Sequence, residues 1–268
     1  MRGIGISIVC VLTILVTMPV NAHEFWMLAI PFSAPNATST QVDLYVGQFF
    51  KGERIPLSAE YVTQFQRSTL AGTENLMRHV PRSGEAGIAI PLETPGTQIL
   101  SIDTHPNFVK LSADQFKYYL ADEGLVNIQQ LLKNGLLPKV VNREKYRRHI
   151  KALIQVGSHA DDTALSRTGQ RLEIVPLAAP TGPDRSVKAR FQVLFEGHPL
   201  SGILVKAWNK SESQTLLLRV VTDEDGVVML TLPFSGVWML SAVHMLPVLN
   251  DPTLDWESFW ANLTFEIL

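Results

Sequence analysis

His23 is the residue of this 268-residue chain whose position most favours metal chemistry. It directly follows Ala22, where a signal peptidase would cut, so cleavage would make it the first residue of the mature chain. A terminal histidine can chelate one ion through its α-amine and its imidazole, and such nitrogen ligands suit nickel, cobalt, copper or zinc. Cleavage after Val20 would instead place the histidine third, in the amino-terminal copper- and nickel-chelating arrangement. Val20 is a poor residue for the peptidase to cut after, so we favour cleavage after Ala22 and the terminal chelate. The alternative interpretation is that His23 binds no metal and only begins the first strand.

His244 is the second candidate metal ligand. It ends a predicted strand at residues 237–245 and falls on the same face as Trp238 and Leu240. The next residue, Met245, is a possible soft ligand. A histidine that closes an apolar face is often a hydrogen-bonded core residue, and no His-x-His or His-x₃-His spacing supports a ligand role. Both interpretations of His244 stay open.

Three carboxylates could complete a metal site. Glu24 is next to the terminal histidine, and Asp255 and Glu257 flank Trp256 near the end of the chain. Paired acids beside tryptophan could also indicate carbohydrate chemistry. An aromatic cluster at the edge of the core explains this segment better, because aromatic side chains dominate the burial energetics of cores.

The remaining candidates are weaker. His105 follows Asp103 closely and could join a site from the amino-terminal part of the chain. The other histidines are predicted to lie on the surface: His79, His149, His159 and His198. There is no Gly-x-Ser-x-Gly, no phosphate-binding glycine loop, no His-Glu-x-x-His and no thiol nucleophile in the predicted mature chain, so we do not expect an enzyme.

The first 22 residues have the pattern of a cleaved signal peptide. Arg2 precedes an uncharged apolar run at residues 4–16, and Val20-Asn21-Ala22 puts small residues where the peptidase acts. Cys10, the single cysteine, lies inside this leader. The apolar run is shorter than the roughly 20 residues that span a bilayer. We therefore expect a periplasmic protein that is not embedded in the membrane, and the net charge of −2 argues against a nucleic-acid surface.

Short β runs broken by turn residues are predicted from His23 to residue 110. The runs at 42–46, 87–91 and 97–102 contain alternating or β-branched apolar residues. This pattern indicates an amino-terminal β module.

A helical insertion is predicted at residues 111–160. Ser112 with Gln115 three residues later has the spacing of a capping box, and apolar residues follow at helical spacing until Gly135. A further helix is predicted from Asn142 to Gly157, with the basic residues around 143–151 on its solvated face.

A connecting strand and linker at residues 161–186 lead into a carboxy-terminal module at 187–268. Apolar and polar residues alternate at 187–195, and further strands are predicted at 203–208, 216–222, 227–232, 237–244 and 262–267. Asp223-Glu224-Asp225-Gly226 lacks the distal glutamate of a calcium loop and is predicted to form a β-turn. The fold class is therefore mainly β, with two immunoglobulin- or prealbumin-like sandwich modules around a helical insertion.

Several motifs in combination resemble a family of exported proteins. The matching segments are His23-Glu24-Phe25-Trp26 after an alanine, Phe116-x-x-Tyr119-Leu120-x-x-Glu123-Gly124-Leu125, Pro199-Leu200-Ser201-Gly202, Gly236-Val237-Trp238, His244-Met245 and Asp255-Trp256-Glu257-Ser258. Together they resemble the NikM-like family of domains of unknown function, often labelled as periplasmic components of cobalt/nickel transport systems. The resemblance covers nearly the whole mature chain. It implies a periplasmic β-sandwich protein with a metal-ligand role for His23 and His244.

The leading functional hypothesis is capture of a divalent metal, nickel or cobalt first and copper next, for a membrane importer. His23 would chelate the ion and His244 would close the site from the second module, with Glu24, Asp255 or Glu257 completing it. Two hypotheses from other classes remain. One is a metal-free module that binds a protein or a glycan, and the other is a copper-dependent oxidative enzyme built on His23.

Overall fold

The computed structural model describes residues 23–34, 39–84, 87–135, 139–158, 161–180, 188–210 and 215–268. The predicted leader, with Cys10, lies outside these residues, as does His159. The described residues are mainly β, as predicted. Neither of their two α-helices has the length and apolar character that crossing a bilayer requires.

The described elements follow one another in chain order as eighteen strands and two α-helices, with short 3₁₀ helices at Met77–His79 and Asp162–Leu165. The strands in the first half of the chain are β1 (Glu24–Ile30), β2 (Ser33–Ala34), β3 (Ser39–Gln48), β4 (Lys51–Ile55), β5 (Val62–Thr69), β6 (Gly72–Asn75), β7 (Ile88–Pro91), β8 (Gly96–Thr104) and β9 (Asn107–Ser112). The helices α1 (Ala113–Asp122) and α2 (Val126–Lys133) come next. The remaining strands are β10 (Val141–Val156), β11 (Leu172–Pro176), β12 (Lys188–Phe195), β13 (His198–Pro199), β14 (Leu204–Lys210), β15 (Thr215–Val221), β16 (Val227–Thr231), β17 (Gly236–Pro247) and β18 (Trp256–Ile267).

A ten-stranded central sheet organises the fold. Its main path runs β15-β14-β17-β18-β10-β8-β5-β6, and β2 and β9 also pair with β10. Two four-stranded sheets accompany it. The N-terminal sheet contains β1, β3, β4 and β7, and the small sheet contains β11, β12, β13 and β16.

Each accompanying sheet packs on one face of the central sheet. On the small-sheet face, Leu240 and Phe265 join Phe191 in one core cluster, and the Phe191 and Phe265 rings stack with centroids 5.9 Å apart. On the N-terminal-sheet face, Ile150 packs with Met27 of β1 in a second cluster. Successive side chains of each central strand point to opposite faces, so neighbouring residues of one strand contact different accompanying sheets.

The predicted helix from Asn142 to Gly157 is wrong, because this segment forms the long strand β10. It pairs in parallel with β18 and β2 and antiparallel with β8 and β9. Residues 149–154 are buried on both faces, so apolar residues occur at consecutive positions and mimic a helical stripe. The prediction of a surface position for His149 is also wrong, since its side chain is buried.

The earlier helix prediction is confirmed. The Ser112 Oγ accepts a hydrogen bond from the Gln115 backbone N–H at 3.3 Å, and the Gln115 Oε1 accepts from the Ser112 N–H at 2.9 Å. The apolar side of α1 and α2 covers the N-terminal-sheet face beyond the end of that sheet, where Phe116 and Ile128 pack with Met245 and Trp256. The insertion therefore contains only these two helices among the described residues.

The strands predicted in the carboxy-terminal part are confirmed in β12 and β14 to β17, although Val187 lies outside the described residues. Residues 223–226 form the predicted turn, in which the Asp223 Oδ1 accepts hydrogen bonds from the backbone N–H groups of Asp225 and Val227. The last strand starts earlier than predicted, at Trp256. Strands from both predicted modules enter the central sheet, with β10 between them.

Candidate functional site

His23 lies exposed immediately before β1. The strand that follows is held in the N-terminal sheet from Glu24 opposite Gly47 onward. Within the described part of the chain, the His23 imidazole has no hydrogen bond or ion pair. Burial of part of the ring and the nearby charge of Arg148 lower the His23 pKa, which favours the neutral imidazole that binds metals.

Glu24 does not accompany His23, because its side chain is buried in an ion-pair cluster around Lys206. The Lys206 Nζ lies 3.3 Å from Glu24 Oε1, 3.0 Å from Asp122 Oδ2 and 2.8 Å from Glu123 Oε1. Arg219 adds a contact of 3.4 Å to Asp122 at the rim. This cluster ties β1 to the end of α1 and to β14.

The protonation equilibria of the cluster follow from its burial. Burial raises the pKa of Glu123 to about 8 and also raises the pKa of Glu24. Burial alone would lower the pKa of Lys206, but the charges of Glu123 and Glu24 outweigh it and raise that pKa above its usual value. The cluster therefore favours the protonated form of Lys206.

His244 is buried on the small-sheet face of the central sheet. Its ring contacts Phe195 edge to face at 4.6 Å, and its Nδ1 has no hydrogen-bond partner in the described ranges. Burial lowers the His244 pKa, which favours the neutral ring. Met245 points to the opposite face, into the cluster with α1, and does not join His244.

The structure does not bring His23 and His244 together. Lys206, which binds Glu24, pairs with Ser241 on β17, whereas His244 lies three residues further on and faces the other way. Arg148, the neighbour of His23, also points to the N-terminal-sheet face, where it contacts Phe25. The ten-stranded sheet therefore separates the two histidines.

Asp255 and Glu257 are engaged in ion pairs at the start of β18. Asp255 lies 2.9 Å from Arg143 and 2.8 Å from Lys139, and the Arg143 hydrogen bonds hold the Asp255 pKa well below its usual range. Glu257 lies 2.9 Å from Lys145. Across the described ranges, no group of three or more His, Cys, Asp or Glu side chains is arranged to hold a metal ion.

A cleft of about 310 Å³ opens between the N-terminal sheet and the central sheet, and its lining residue Arg148 is the one whose charge acts on His23. Phe25 of β1 and Arg148 of β10 line it, and the Arg148 guanidinium carbon lies 4.5 Å from the centre of the Phe25 ring. Thr104 and Asn107 also line it, on either side of the exposed His105 in the chain. Sequence reasoning missed Arg148 because it assigned the surrounding basic run to a solvated helix face.

Asp103, the expected neighbour of His105, instead pairs with His149. The His149 Nδ1 lies 2.8 Å from Asp103 Oδ1, and Gln170 donates to the same oxygen at 2.8 Å. Lys151 and Glu173 form a second buried pair on this face, at 2.8 Å. These polar groups connect β10 to the segment around β11.

Comparison with known proteins gives a family but no activity. No curated protein matches the chain. Among solved structures, the D0-D1 domain of Intimin is similar over 90% of this chain and 97% of its own, with 13% sequence identity and a TM-score of 0.20. The family model described as "Domain of unknown function (DUF4198)" matches residues 20–246. Because this match covers most of the sequence, the chain belongs to the DUF4198 family.

Proposed function

We propose that this chain is an exported protein that captures a divalent transition metal through the α-amine and imidazole of His23. Nickel or cobalt is the first expectation and copper the next, and a membrane importer is the proposed recipient. One observation carries the proposal: the His23 imidazole is exposed and, within the described residues, has no competing hydrogen bond or ion pair. A mature chain that starts at His23 would present two nitrogen ligands from one residue, the imidazole of the side chain and the free α-amine.

The arrangement suits capture followed by transfer. Because β1 is paired with β3 from Glu24 onward, the backbone that follows His23 is fixed in the N-terminal sheet. The chelate leaves other coordination positions for water or for ligands from a partner, and ions held by few ligands exchange readily. Glu24, Asp255 and Glu257 are engaged in ion pairs, and His244 lies on the other face of the central sheet, so His23 is the single ligand in this proposal.

Metal titration of variants tests this proposal. The mature protein would be titrated calorimetrically with nickel, cobalt, copper and zinc, and its first residue would be established by intact mass. His23→Ala should weaken one-to-one metal binding by at least about tenfold, because the ion loses one of its two ligands. A tenfold change in affinity corresponds to about 1.4 kcal/mol. His198→Ala removes an exposed histidine on β13 and should leave the affinity unchanged. Equal affinities of the His23 and His198 variants would reject the proposal.

A metal-free interaction module is the second candidate, and one observation favours it. Phe49, at the hairpin between β3 and β4, is 59% exposed and has a positive φ of 56°, a strained conformation for a phenylalanine. Its ring lies 5.8 Å from Trp208 in an edge-to-face arrangement. Binding of a protein or glycan that persists in chelator and is lost in Phe49→Ala would support this candidate over metal capture.

A further inference from the structure

The cleft beside His23 contains an unusual combination of apolar walls and one cation. Leu44, Val46 and Ile55 of the N-terminal sheet contribute to one wall, and Val62 of β5 contributes to the other. Arg148 is the only formally charged residue among its described lining residues. Tyr146 lies next to this charge and accepts a hydrogen bond from the Arg148 side chain, whereas the Thr104 Oγ1 accepts the Arg148 backbone N–H at 3.1 Å.

The Arg148 guanidinium has no carboxylate partner within the described residues. By contrast, Arg54, Arg67, Arg143, Arg171 and Arg219 each contact an Asp or Glu side chain. The guanidinium lies against the rings of Phe25 and Tyr146, at 4.5 and 5.3 Å, and its Nη1 is buried without a hydrogen-bond acceptor. Burial lowers the Arg148 pKa, and the more distant charge of Glu144 and the hydrogen bond to Tyr146 oppose this shift without cancelling it.

A partly buried cation without a carboxylate in direct contact is costly to the fold, and an anion from outside the chain would offset that cost. The single planar guanidinium matches a carboxylate, which it can bind through two parallel N–H groups. Repeated basic residues, which bind polyanions, are absent from the described lining. The apolar walls fit a molecule with a hydrophobic body, and the volume of about 310 Å³ is at the lower end of small-ligand sites.

We propose that this cleft binds a small amphipathic carboxylate, such as a medium-chain fatty acid, with its carboxylate at Arg148 and its apolar body between the two sheets. The site is separate from the proposed metal chelate, because it uses neither the imidazole nor the amine of His23. Phe25 forms part of the wall and covers the guanidinium.

Calorimetric titration with octanoate in the presence of a chelator tests the site without any metal. Octanol and octyltrimethylammonium serve as probes with the same apolar chain and no negative charge. We expect octanoate to bind at least tenfold more tightly than octanol. Arg148→Met should weaken octanoate binding about 10- to 100-fold, the effect of losing a hydrogen bond to a charged group, and should leave octanol binding unchanged.

Two further variants keep the test decisive. Arg147→Met changes the adjacent arginine, whose side chain points to the opposite face of β10, and should leave octanoate binding intact. Ile55→Trp fills the cleft without removing the charge and should abolish binding of both octanoate and octanol. The probe comparison uses the unmodified protein, so it decides the matter even if Arg148→Met does not fold. Equal affinities for octanoate and octanol, or unaltered octanoate binding in folded Arg148→Met or Ile55→Trp protein, would overturn the proposal.

Discussion

Replacement of Lys206 by methionine should strongly destabilise the fold. The Lys206 side chain is 3% exposed and contacts three carboxylates at 2.8–3.3 Å. Lys206→Met keeps an unbranched apolar side chain but removes the ammonium group, so Glu24 and Glu123 stay buried without a cation. Removing one partner of a buried ion pair typically costs about 3–5 kcal/mol, so we expect a loss of that size at pH 8.

The loss should become smaller in acid. Burial raises the pKa of Glu123 to about 8 and also raises that of Glu24, so both carboxyls take up protons more readily in the fold than in the unfolded chain. Without Lys206 their pKa values should rise further, because the cation that opposes protonation is gone. Both carboxyls bind protons in the folded variant but are mostly ionised in its unfolded chain, so the variant should become more stable as the pH falls from 8 to 5.5. Because their pKa values are higher than in the unsubstituted protein, at least about 1 kcal/mol of the loss should be recovered.

Urea denaturation followed by tryptophan fluorescence measures this effect at both pH values. Lys145→Met is the matched control, because the Lys145–Glu257 pair lies at 2.9 Å with its side chains 25% and 20% exposed. Partly exposed pairs contribute about 0–1 kcal/mol. The account of the cluster would be refuted if Lys206→Met cost no more than Lys145→Met, or if its cost were the same at pH 5.5 and pH 8.

Two other perturbations have defined outcomes. Burial raises the pKa of Glu144 to about 7, so its contribution to stability is complete below pH ~4.5 and is lost as pH rises through about 7. Glu144→Gln cannot ionise but can still accept the hydrogen bond from Ser258. It should therefore remove up to about 3 kcal/mol of the fall in the free energy of unfolding between pH 4.5 and 8.5, measured by urea titration. An unaltered dependence of stability on pH would contradict the raised pKa of Glu144. Ser112→Ala should lower the free energy of unfolding by about 1 kcal/mol, because α1 loses its capping box. Ser83→Ala, at an exposed bend, should have no measurable effect. Equal values for the two serine variants would contradict the capping role of Ser112.

Local patterns predicted the outer strands well. The alternation of apolar and polar residues at 187–195 predicts a strand with one buried and one more accessible side, and β12 has this environment. The Ser112–Gln115 capping box is similarly a local device, complete within four residues. Such elements were predictable because their sequence signals arise from interactions inside the element or from a single covered face.

The central strand was not predictable from the same rules. Ile150, Leu153 and Ile154 recur at helical spacing because β10 is buried on both faces. The residues that pair with it are far away in the sequence: Ile150 pairs with Asn262 of β18, 112 residues later, and Gln155 pairs with Ser33 of β2, 122 residues earlier. Only these distant partners distinguish the strand from a helix. The error at β10 also hid Arg148, which seemed to belong to a solvated basic face.

The candidate site was predictable only in part. His23 was found because the leader pattern ends directly before it, a signal that does not depend on the fold. The separation of His23 from His244 depends on which face of the central sheet each strand position occupies, and that follows from the register of β14, β17 and β18. Glu24 could not be distinguished from a metal ligand until its contact with Lys206 was known.

The measurement that tests the central claim most directly is nickel and copper titration of two mature proteins that differ by one residue. One begins at His23 and the other carries a single glycine before it, so the imidazole is retained but the α-amine moves out of chelating distance. We predict tight one-to-one binding by the first protein and an affinity at least about tenfold weaker for the second. Equal binding by the two proteins, or binding by neither beyond that of an exposed histidine, would contradict the proposed terminal chelate.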